Sequence, residues 1–204
     1  MDKLRKIYSR KYEKDIYEIF AGEFFVTKKK NILIKTLLGS CVAVLLRDRA
    51  AGVLGVNHFM LPGNPRKKNK DKGKDFLLNK DTRYGINAME LMINDMMKKG
   101  AVRKNFEAKV FGGGKIIKSG LNKVAVNNID FILDYLNMEN IPIKARDLGE
   151  DYGRQIIIVP DSFTVYLRKI EISRLGRDTI EREKKLLSRT KDKSKKSGDL
   201  TLFD

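Results

Sequence analysis

The 204-residue sequence contains few of the residues on which several protein classes depend. It has one cysteine, one histidine, four prolines and no tryptophan. A single cysteine excludes an internal disulfide and fits a reducing compartment, so we expect a cytoplasmic protein. One cysteine and one histidine cannot supply the four ligands of an ordinary structural zinc site. We therefore expect neither a metal centre nor a disulfide-stabilised fold.

Long apolar runs are also missing. The longest uncharged stretch, Thr36 to Leu46, is too short to span a bilayer. The basic start of the chain, Met1 to Lys6, is not followed by the apolar segment of a signal peptide. We therefore expect neither a signal peptide nor a membrane span. Hydrophobic residues still make up 42% of the chain, which is enough for one buried core.

The strongest feature of the composition is positive charge. There are 43 Lys and Arg residues against 26 Asp and Glu, a formal net charge of +17. Basic chains often bind nucleic acid or anionic membranes. Here the charge is spread along the chain, and no helix-turn-helix, zinc-finger or RNA-recognition motif accompanies it. We interpret it mainly as solvated surface, and a nucleic-acid function is not favoured.

The chain divides into three predicted parts. Residues 1–22 form a mobile or helical N-terminal arm. Its apolar residues have roughly helical spacing, which favours a short amphipathic helix that docks on the domain over contact with a membrane. Residues 23–173 form the domain. Residues 174–204 form a charged tail, predicted to be a frayed helix or disordered, with an apolar end at Leu200–Phe203. Within the domain, the basic stretch 63–83 begins with a polar loop that either is simply solvated or steers an acidic partner.

The domain itself is predicted to be α+β. Strands are expected at Glu23–Thr27, Ile32–Arg47 with an interruption, Val53–Met60, Phe106–Phe111, Ile143–Leu148, Gln155–Val159 and Thr164–Ile172, and helices at Tyr84–Lys99 and Val126–Met138. Most of these strands are adjacent in the sequence. The pattern predicts an α/β sandwich with a mostly antiparallel β core and two main flanking helices.

Cys41 and His58 lie 17 positions apart, and both lie inside apolar runs. A thiol becomes a useful nucleophile when a base removes its proton, and an imidazole can do so near neutral pH. A hairpin centred near Ala50 would place position 41 opposite about position 59, which makes the two residues neighbours. A Cys-His dyad is one interpretation. In the other, the cysteine is a small core residue and the histidine makes structural hydrogen bonds.

Two glycine-containing segments accompany these residues. Gly39-Ser40 interrupts the first strand just before Cys41, and such a bend can free backbone N–H groups for an oxyanion hole. Gly112-Gly113-Gly114-Lys115 follows the strand that ends at Phe111. It lacks the spacing and the Ser or Thr of a phosphate-binding loop, so we interpret it as a tight turn.

Several segments around and after the cysteine and histidine form a recognisable set. They are Thr36-Leu37-Leu38-Gly39-Ser40-Cys41-Val42-Ala43-Val44, Asn57-His58-Phe59-Met60-Leu61-Pro62, Tyr84-Gly85 through Met89, Ala108 to Gly114, Ile141-Pro142-Ile143, Asp147-Leu148-Gly149 and Gly153-Arg154. Together they resemble a known family, the chemoreceptor glutamine deamidases of the CheD family, over about residues 20–175.

The resemblance implies both a fold and an activity. The fold is an α/β sandwich similar to that of toxins that deamidate glutamine. The activity is hydrolysis of specific glutamine amides to glutamate on methyl-accepting chemotaxis receptors, in some members with glutamyl methylesterase activity. Cys41 would be the nucleophile, His58 the base, and Thr36 the residue that orients His58. No cofactor or metal is implied.

The same resemblance leaves a second function open. Members of the family can associate with a CheC-type phosphatase of the response regulator. The chain could then be a non-catalytic adaptor that binds receptors and such a phosphatase. Receptor cytoplasmic domains are the expected partners under either interpretation.

Overall fold

The computed structural model describes residues 4–61, 80–115 and 121–171, together with Ser173, Leu175, Glu181, Lys184, Lys185 and Ser188. The predicted polar loop after Pro62 and most of the predicted tail lie outside these residues. The described strands are β1 Arg5–Ser9, β2 Lys14–Glu18, β3 Glu23–Thr27, β4 Ile32–Leu38, β5 Val42–Asp48, β6 Val53–Phe59, β7 Phe106–Gly112, β8 Ile143–Leu148, β9 Tyr152–Val159 and β10 Thr164–Glu171. The described helices are α1 Lys80–Lys98 and α2 Leu121–Met138, and a short 3₁₀ turn, Arg103–Asn105, precedes β7.

The strands form two five-stranded sheets. Sheet A has the order β1-β2-β4-β9-β10, and sheet B has the order β3-β6-β5-β7-β8. All pairs are antiparallel except β2–β4 and β7–β8. The predicted α+β class with a mostly antiparallel core and two main helices is confirmed. Neither described helix is long and apolar enough to cross a membrane.

Sheet B is the middle layer of the protein. Its central strand, β5, alternates between two cores: Val42, Val44 and Leu46 pack toward the helices, whereas Ala43 and Leu45 pack toward sheet A. Because both faces of β5 are buried, its sequence is a continuous apolar run and not an alternating one. The helices cover the outer face of sheet B, chiefly through Met89, Met92, Ile93, Phe131 and Ile132.

Two sequence predictions about the strands are wrong. The helix expected within residues 1–22 is a strand pair, β1 and β2, and β2 extends sheet A by parallel pairing with β4. The side chain of Ile19, just after β2, is buried in the core between the sheets. The single interrupted strand expected at Ile32–Arg47 is two strands, β4 and β5, which belong to different sheets.

Smaller differences concern the ends of elements. The first helix begins at Lys80 and the second at Leu121, each several residues earlier than predicted. The hairpin turn expected at Pro160–Phe163 is present, because Val159 pairs with Thr164. The remaining predicted strands agree with the structure to within a few residues.

Candidate active site

Cys41 lies where the chain crosses from one sheet to the other. β4 ends at Leu38 in sheet A, and β5 begins at Val42 in sheet B. The bend predicted at Gly39-Ser40 is therefore the connection between two layers and not a bulge within one strand. Cys41 is completely buried and belongs to the core between the sheets.

Hydrogen bonds hold all three carbonyl groups of this crossing segment, Gly39–Cys41. The Gly39 carbonyl accepts the Gly114 N–H at 2.8 Å, and the Cys41 carbonyl accepts the Gly113 N–H at 2.8 Å. The Ser40 carbonyl accepts the side-chain amide of Asn128 at 2.9 Å. Because the peptide unit is planar, fixing a carbonyl also fixes the direction of the N–H that follows it. The backbone around Cys41 is therefore well determined.

The glycine turn predicted after Phe111 packs directly against this segment. Gly112 has a φ of +118°, and a Cβ atom added to it would lie 2.2 Å from the Cys41 carbonyl oxygen. Such a distance is far inside van der Waals contact. Only glycine therefore allows β7 to end against the crossing segment.

His58 lies on β6 and faces the same interior as Cys41. It pairs with Ala43 on β5 and with Glu23 on β3. Since Val42 pairs with Phe59, position 41 extends the register opposite Met60, and residues 41, 43, 58 and 60 share one face of the sheet. The predicted register was one residue different, and it would have placed positions 41 and 58 on opposite faces. In the actual register they are diagonal neighbours.

Thr36 reaches His58 from the opposite sheet. It lies on β4 and is buried, with its side chain toward sheet B. Its Oγ1 is 2.8 Å from His58 Nδ1, and it donates to the Ile19 carbonyl at 2.7 Å. Thr36 lies on β4 and Cys41 just before β5, so their side chains approach the same interior from different sheets.

These contacts fix the tautomer of His58. A threonine hydroxyl has one hydrogen, and that of Thr36 is used on the Ile19 carbonyl. The short contact with His58 therefore requires that Nδ1 carries a hydrogen and donates it to Thr36 Oγ1. Nε2 then keeps its lone pair. Among the described residues, Nε2 has no hydrogen-bond partner, although it is buried.

Burial of the imidazole lowers the pKa of His58 to about 4, and the Ile19 carbonyl opposes this effect. His58 is therefore neutral at physiological pH. A neutral imidazole with a bare Nε2 is chemically able to accept a proton.

A cleft lined by several cations lies elsewhere. It has a volume of about 490 Å³ and is lined by the β3–β4 turn, the far ends of β5 and β6, and the β9–β10 turn. Lys28, Lys29, Lys30, Arg47 and Arg49 contribute its cations. Because β5 runs from Cys41 at one end to this cleft at the other, the cleft and the Cys41 region are at opposite ends of the sandwich. No group of three or more potential metal-ligating side chains occurs among the residues that the structure describes.

The structure thus brings Thr36, Cys41 and His58, which were predicted from the sequence, to one interior region. It adds the Ile19 carbonyl, which holds Thr36, and the Asn128 side chain, which holds Ser40. The roles of the Ile19 carbonyl and the Asn128 side chain were not predicted from the sequence. The one available signal was the position of Asn128 on α2, where a polar residue lies on an otherwise apolar helix face. The role of the Ile19 carbonyl could not be recognised in the sequence, because every residue has a backbone carbonyl.

Fold and site together define an α+β protein of two packed sheets, with a thiol, an imidazole and a hydroxyl group buried between them. The family model described as CheD chemotactic sensory transduction matches residues 60–169. The chain belongs to the CheD family. The matched residues begin just after His58, so the three candidate site residues lie on the N-terminal side of this match.

Curated relatives match nearly the whole chain. A protein from Bordetella avium is 36% identical over 98% of this chain and 86% of its own length. Proteins from Janthinobacterium sp. and Shewanella oneidensis are 40% and 39% identical over 96% and 97% of this chain and 93% and 92% of their own. All three relatives are named as probable chemoreceptor glutamine deamidases CheD.

Among solved structures, a Neisseria meningitidis protein assigned to the family model DUF152 superposes with a TM-score of 0.35 and 10% identity. The superposition covers 62% of this chain and 51% of that chain. This similarity is too weak to support a conclusion about fold or function.

Proposed function

We propose that this chain is a chemoreceptor glutamine deamidase of the cytoplasm. It hydrolyses specific glutamine side-chain amides to glutamate on the cytoplasmic domains of methyl-accepting chemotaxis receptors. The names of its relatives supply the substrate class, and the site supplies the chemistry. In this proposal Cys41 is the nucleophile, His58 is the general base, and Thr36 orients His58.

The arrangement of Thr36, Ile19 and His58 is the observation that carries the proposal. The hydroxyl accepts from Nδ1 and donates to a fixed carbonyl, so the ring is held in one orientation and one tautomer. The buried Nε2 has no described hydrogen-bond partner, which costs free energy of folding. A catalytic role would explain why the protein keeps such a group. Accepting the thiol proton of Cys41 is such a role.

The reaction is an acyl transfer in two stages. Nε2 of His58 takes the thiol proton, and the sulfur attacks the amide carbon of the glutamine. The oxyanion is stabilised by backbone N–H groups at Cys41, whose directions are set by the bonded carbonyls of the crossing segment. His58 returns the proton to the leaving nitrogen, and ammonia departs from the thioester. Water then hydrolyses the thioester, which yields glutamate and the free thiol.

Access to the thiol requires a structural change. Cys41 and His58 are 0% and 2% exposed, so a receptor glutamine cannot reach them in this conformation. Receptor binding must therefore open a path to the site before reaction. Burial also excludes bulk water from Cys41 and His58, which strengthens electrostatic interactions between buried groups.

The first test is mass spectrometry of a purified receptor cytoplasmic fragment after incubation with the protein. Replacement of an amide NH₂ by OH gives a small mass gain at each modified glutamine. We expect this gain with the wild-type protein and none with Cys41→Ala, provided that the variant unfolds at the same denaturant concentration as the wild type. Turnover by Cys41→Ala would contradict the assignment of the nucleophile.

A matched pair of variants tests the role of Thr36. Thr36→Ser keeps the hydroxyl, whereas Thr36→Val keeps the shape and removes it. We expect Thr36→Val to lower kcat by about 10²-fold, because loss of the correct tautomer and of orientation removes an activated base. Thr36→Ser is expected to retain most of kcat. Equal activity of the two variants would show that the hydroxyl does not orient His58.

The same fragment also tests the adaptor alternative. If wild-type protein leaves all receptor glutamines unchanged while it still binds the folded fragment, the deamidase proposal is wrong and the adaptor function is favoured. In that case binding is expected to survive the Cys41→Ala substitution.

A further inference from the structure

A buried asparagine on α2 joins the two segments that carry the candidate thiol and imidazole. Asn128 Oδ1 accepts the Leu61 N–H at 2.8 Å, and Asn128 Nδ2 donates to the Ser40 carbonyl at 2.9 Å. Ser40 directly precedes Cys41, and Leu61 follows His58 by three residues. One carboxamide therefore connects the crossing segment to the chain beyond the end of β6.

The position of Asn128 is unusual for a polar residue. The other residues of the buried face of α2 that flank it are Val124, Ala125, Phe131 and Ile132. Asn128 itself is fully buried. A buried amide is costly unless its donor and acceptor are satisfied, and here both are. Its two partners are backbone groups outside the strand ladders, one between the sheets and one after β6 has ended.

The bond to Ser40 has a direct consequence for Cys41. The Ser40 carbonyl and the Cys41 N–H belong to one planar peptide unit and point in opposite directions. By fixing the carbonyl, Asn128 fixes the direction of the N–H at the candidate nucleophile. The same bond restrains the Cα of Cys41, and with it the path of the thiol. Groups that stabilise a developing oxyanion must be in place before the reaction begins.

We propose that Asn128 is a positioning residue: its carboxamide holds the Ser40–Cys41 peptide relative to the histidine strand, so that the thiol and the Cys41 N–H are aligned for attack on an amide. The expected effect on deamidation rests on the proposed function. The restraint on Cys41 does not depend on that function, because it follows from the hydrogen bond to the Ser40 carbonyl. Asn128 acts through Cys41 and touches no reacting atom.

Asn128→Asp is the sharpest substitution for a test. It keeps the size of the side chain and the acceptor for the Leu61 N–H, and it places an oxygen where Nδ2 donates to Ser40. We expect kcat for the receptor fragment to fall about 10²-fold with little change in KM, because misplacement of reacting groups affects the transition state more than binding. Asn128→Ala serves as the second variant if the aspartate prevents folding.

Asp48 provides a matched control at the other end of β5. It is fully buried, and its carboxylate accepts the backbone N–H groups of Ala51 at 3.0 Å and Val102 at 2.8 Å. Asp48→Asn therefore disturbs a comparable buried polar anchor far from Cys41. We expect it to lower stability while kcat per folded molecule changes less than about twofold. If Asn128→Asp lowers kcat no more than Asp48→Asn does, the positioning role is wrong.

A second readout needs no receptor. Because Cys41 is the only cysteine, iodoacetamide can add at one thiol, and mass spectrometry gives the rate of alkylation of that residue alone. Cys41 is buried, so loosening of the crossing segment should expose it. We expect alkylation at least about tenfold faster in the Asn128 variants than in Asp48→Asn at equal free energy of unfolding.

The two readouts separate the two proposals. Where wild-type protein deamidates the receptor fragment, the comparison of kcat decides the role of Asn128. Where the wild-type protein does not deamidate the fragment, the proposed function is wrong, and the alkylation comparison decides whether Asn128 restrains Cys41. Faster alkylation in the Asn128 variants than in Asp48→Asn supports the restraint. Equal rates overturn it.

Discussion

At the residue scale, the hydroxyl group of Thr36 determines what His58 can do. An imidazole has two nitrogens, and only the hydrogen-bond network decides which of them carries the hydrogen. Thr36 cannot donate to His58 because its hydrogen is used on the Ile19 carbonyl. The nitrogen that keeps its lone pair is therefore Nε2, and burial holds the ring in the neutral state. The tautomer of His58 is therefore set by Thr36 and the Ile19 carbonyl, and not by the imidazole itself.

The lowered pKa of His58 predicts a contribution to the pH dependence of stability. The folded pKa is about 4 and the ordinary value is 6.5. Between these values the unfolded chain binds more protons, so stability from this group is complete above pH 6.5 and is lost as the pH falls toward 4. The difference amounts to about 3 kcal/mol. Urea unfolding between pH 4 and 7.5 should therefore show a steeper pH dependence for wild type than for His58→Gln.

A direct measurement complements the unfolding experiment. The chain has one histidine, so a single imidazole resonance reports its titration. We expect that resonance to remain that of a neutral ring down to about pH 5. A midpoint near the ordinary value, or identical pH dependence of unfolding in wild type and His58→Gln, would contradict burial as the dominant influence on this group.

At the element scale, the ends of strands and not their centres build the site. Cys41 precedes β5, His58 is near the end of β6, and the glycine turn ends β7. These ends meet because β5 pairs with both β6 and β7. The glycine turn and α2 then hold the crossing segment through hydrogen bonds to its three carbonyl groups. Loops that carry chemistry are commonly positioned by a rigid scaffold in this manner.

Two glycines with positive φ provide a matched test of this arrangement. A Cβ on Gly112 would collide with the Cys41 carbonyl, whereas a Cβ on Gly52, with φ of +63°, would meet nothing within 4 Å. Gly52→Ala should cost about 1 kcal/mol of backbone strain and retain activity. Gly112→Ala should cost about 3 kcal/mol, because the collision adds to the strain, and under the proposed function it should abolish deamidation.

Chemical denaturation and the receptor assay check this pair. The informative quantity is activity per folded molecule, since both variants lose stability. Retention of full activity by Gly112→Ala would show that the close approach of β7 to the crossing segment is not needed for the function of Cys41.

At the scale of the whole molecule, sheet B joins two cores. Its strands contribute one face to the helices and the other face to sheet A. The site lies in the second core, but β5 and β6, which carry it, also belong to the first. We therefore expect the described layers to unfold cooperatively, because neither core can be lost without exposing a face of the shared sheet.

Substitutions in the two cores test this expectation. Leu45 is fully buried between the sheets, and Ile93, on α1, is fully buried in the core between the helices and sheet B. Leu45→Ala and Ile93→Ala should each lower the free energy of unfolding by about 2–5 kcal/mol. Each should shift one common transition. The chain has no tryptophan, so tyrosine fluorescence and far-UV circular dichroism are suitable probes; different midpoints for the two probes would indicate that the cores unfold separately.

Local sequence patterns were sufficient for much of this fold. The apolar run of β5, the turn before Val53 and the stripes of α1 and α2 predicted the hairpin and both helices, because these features depend on neighbours in sequence. The hairpin also predicted that Cys41 and His58 lie near each other. The α+β class followed from the order of these elements.

Tertiary structure alone decided the rest. The N-terminal strand pair forms because β2 finds a partner in β4, and no local spacing encodes that contact. Thr36 meets His58 only because the chain crosses between sheets at Gly39-Ser40, and the register that places residues 41 and 58 on one face is set by pairing along the whole of β5. The anchors Ile19 and Asn128 are 22 and 87 positions from Cys41 in the chain. Pairing and packing over such separations depend on the folded core as a whole, and a local pattern does not contain them.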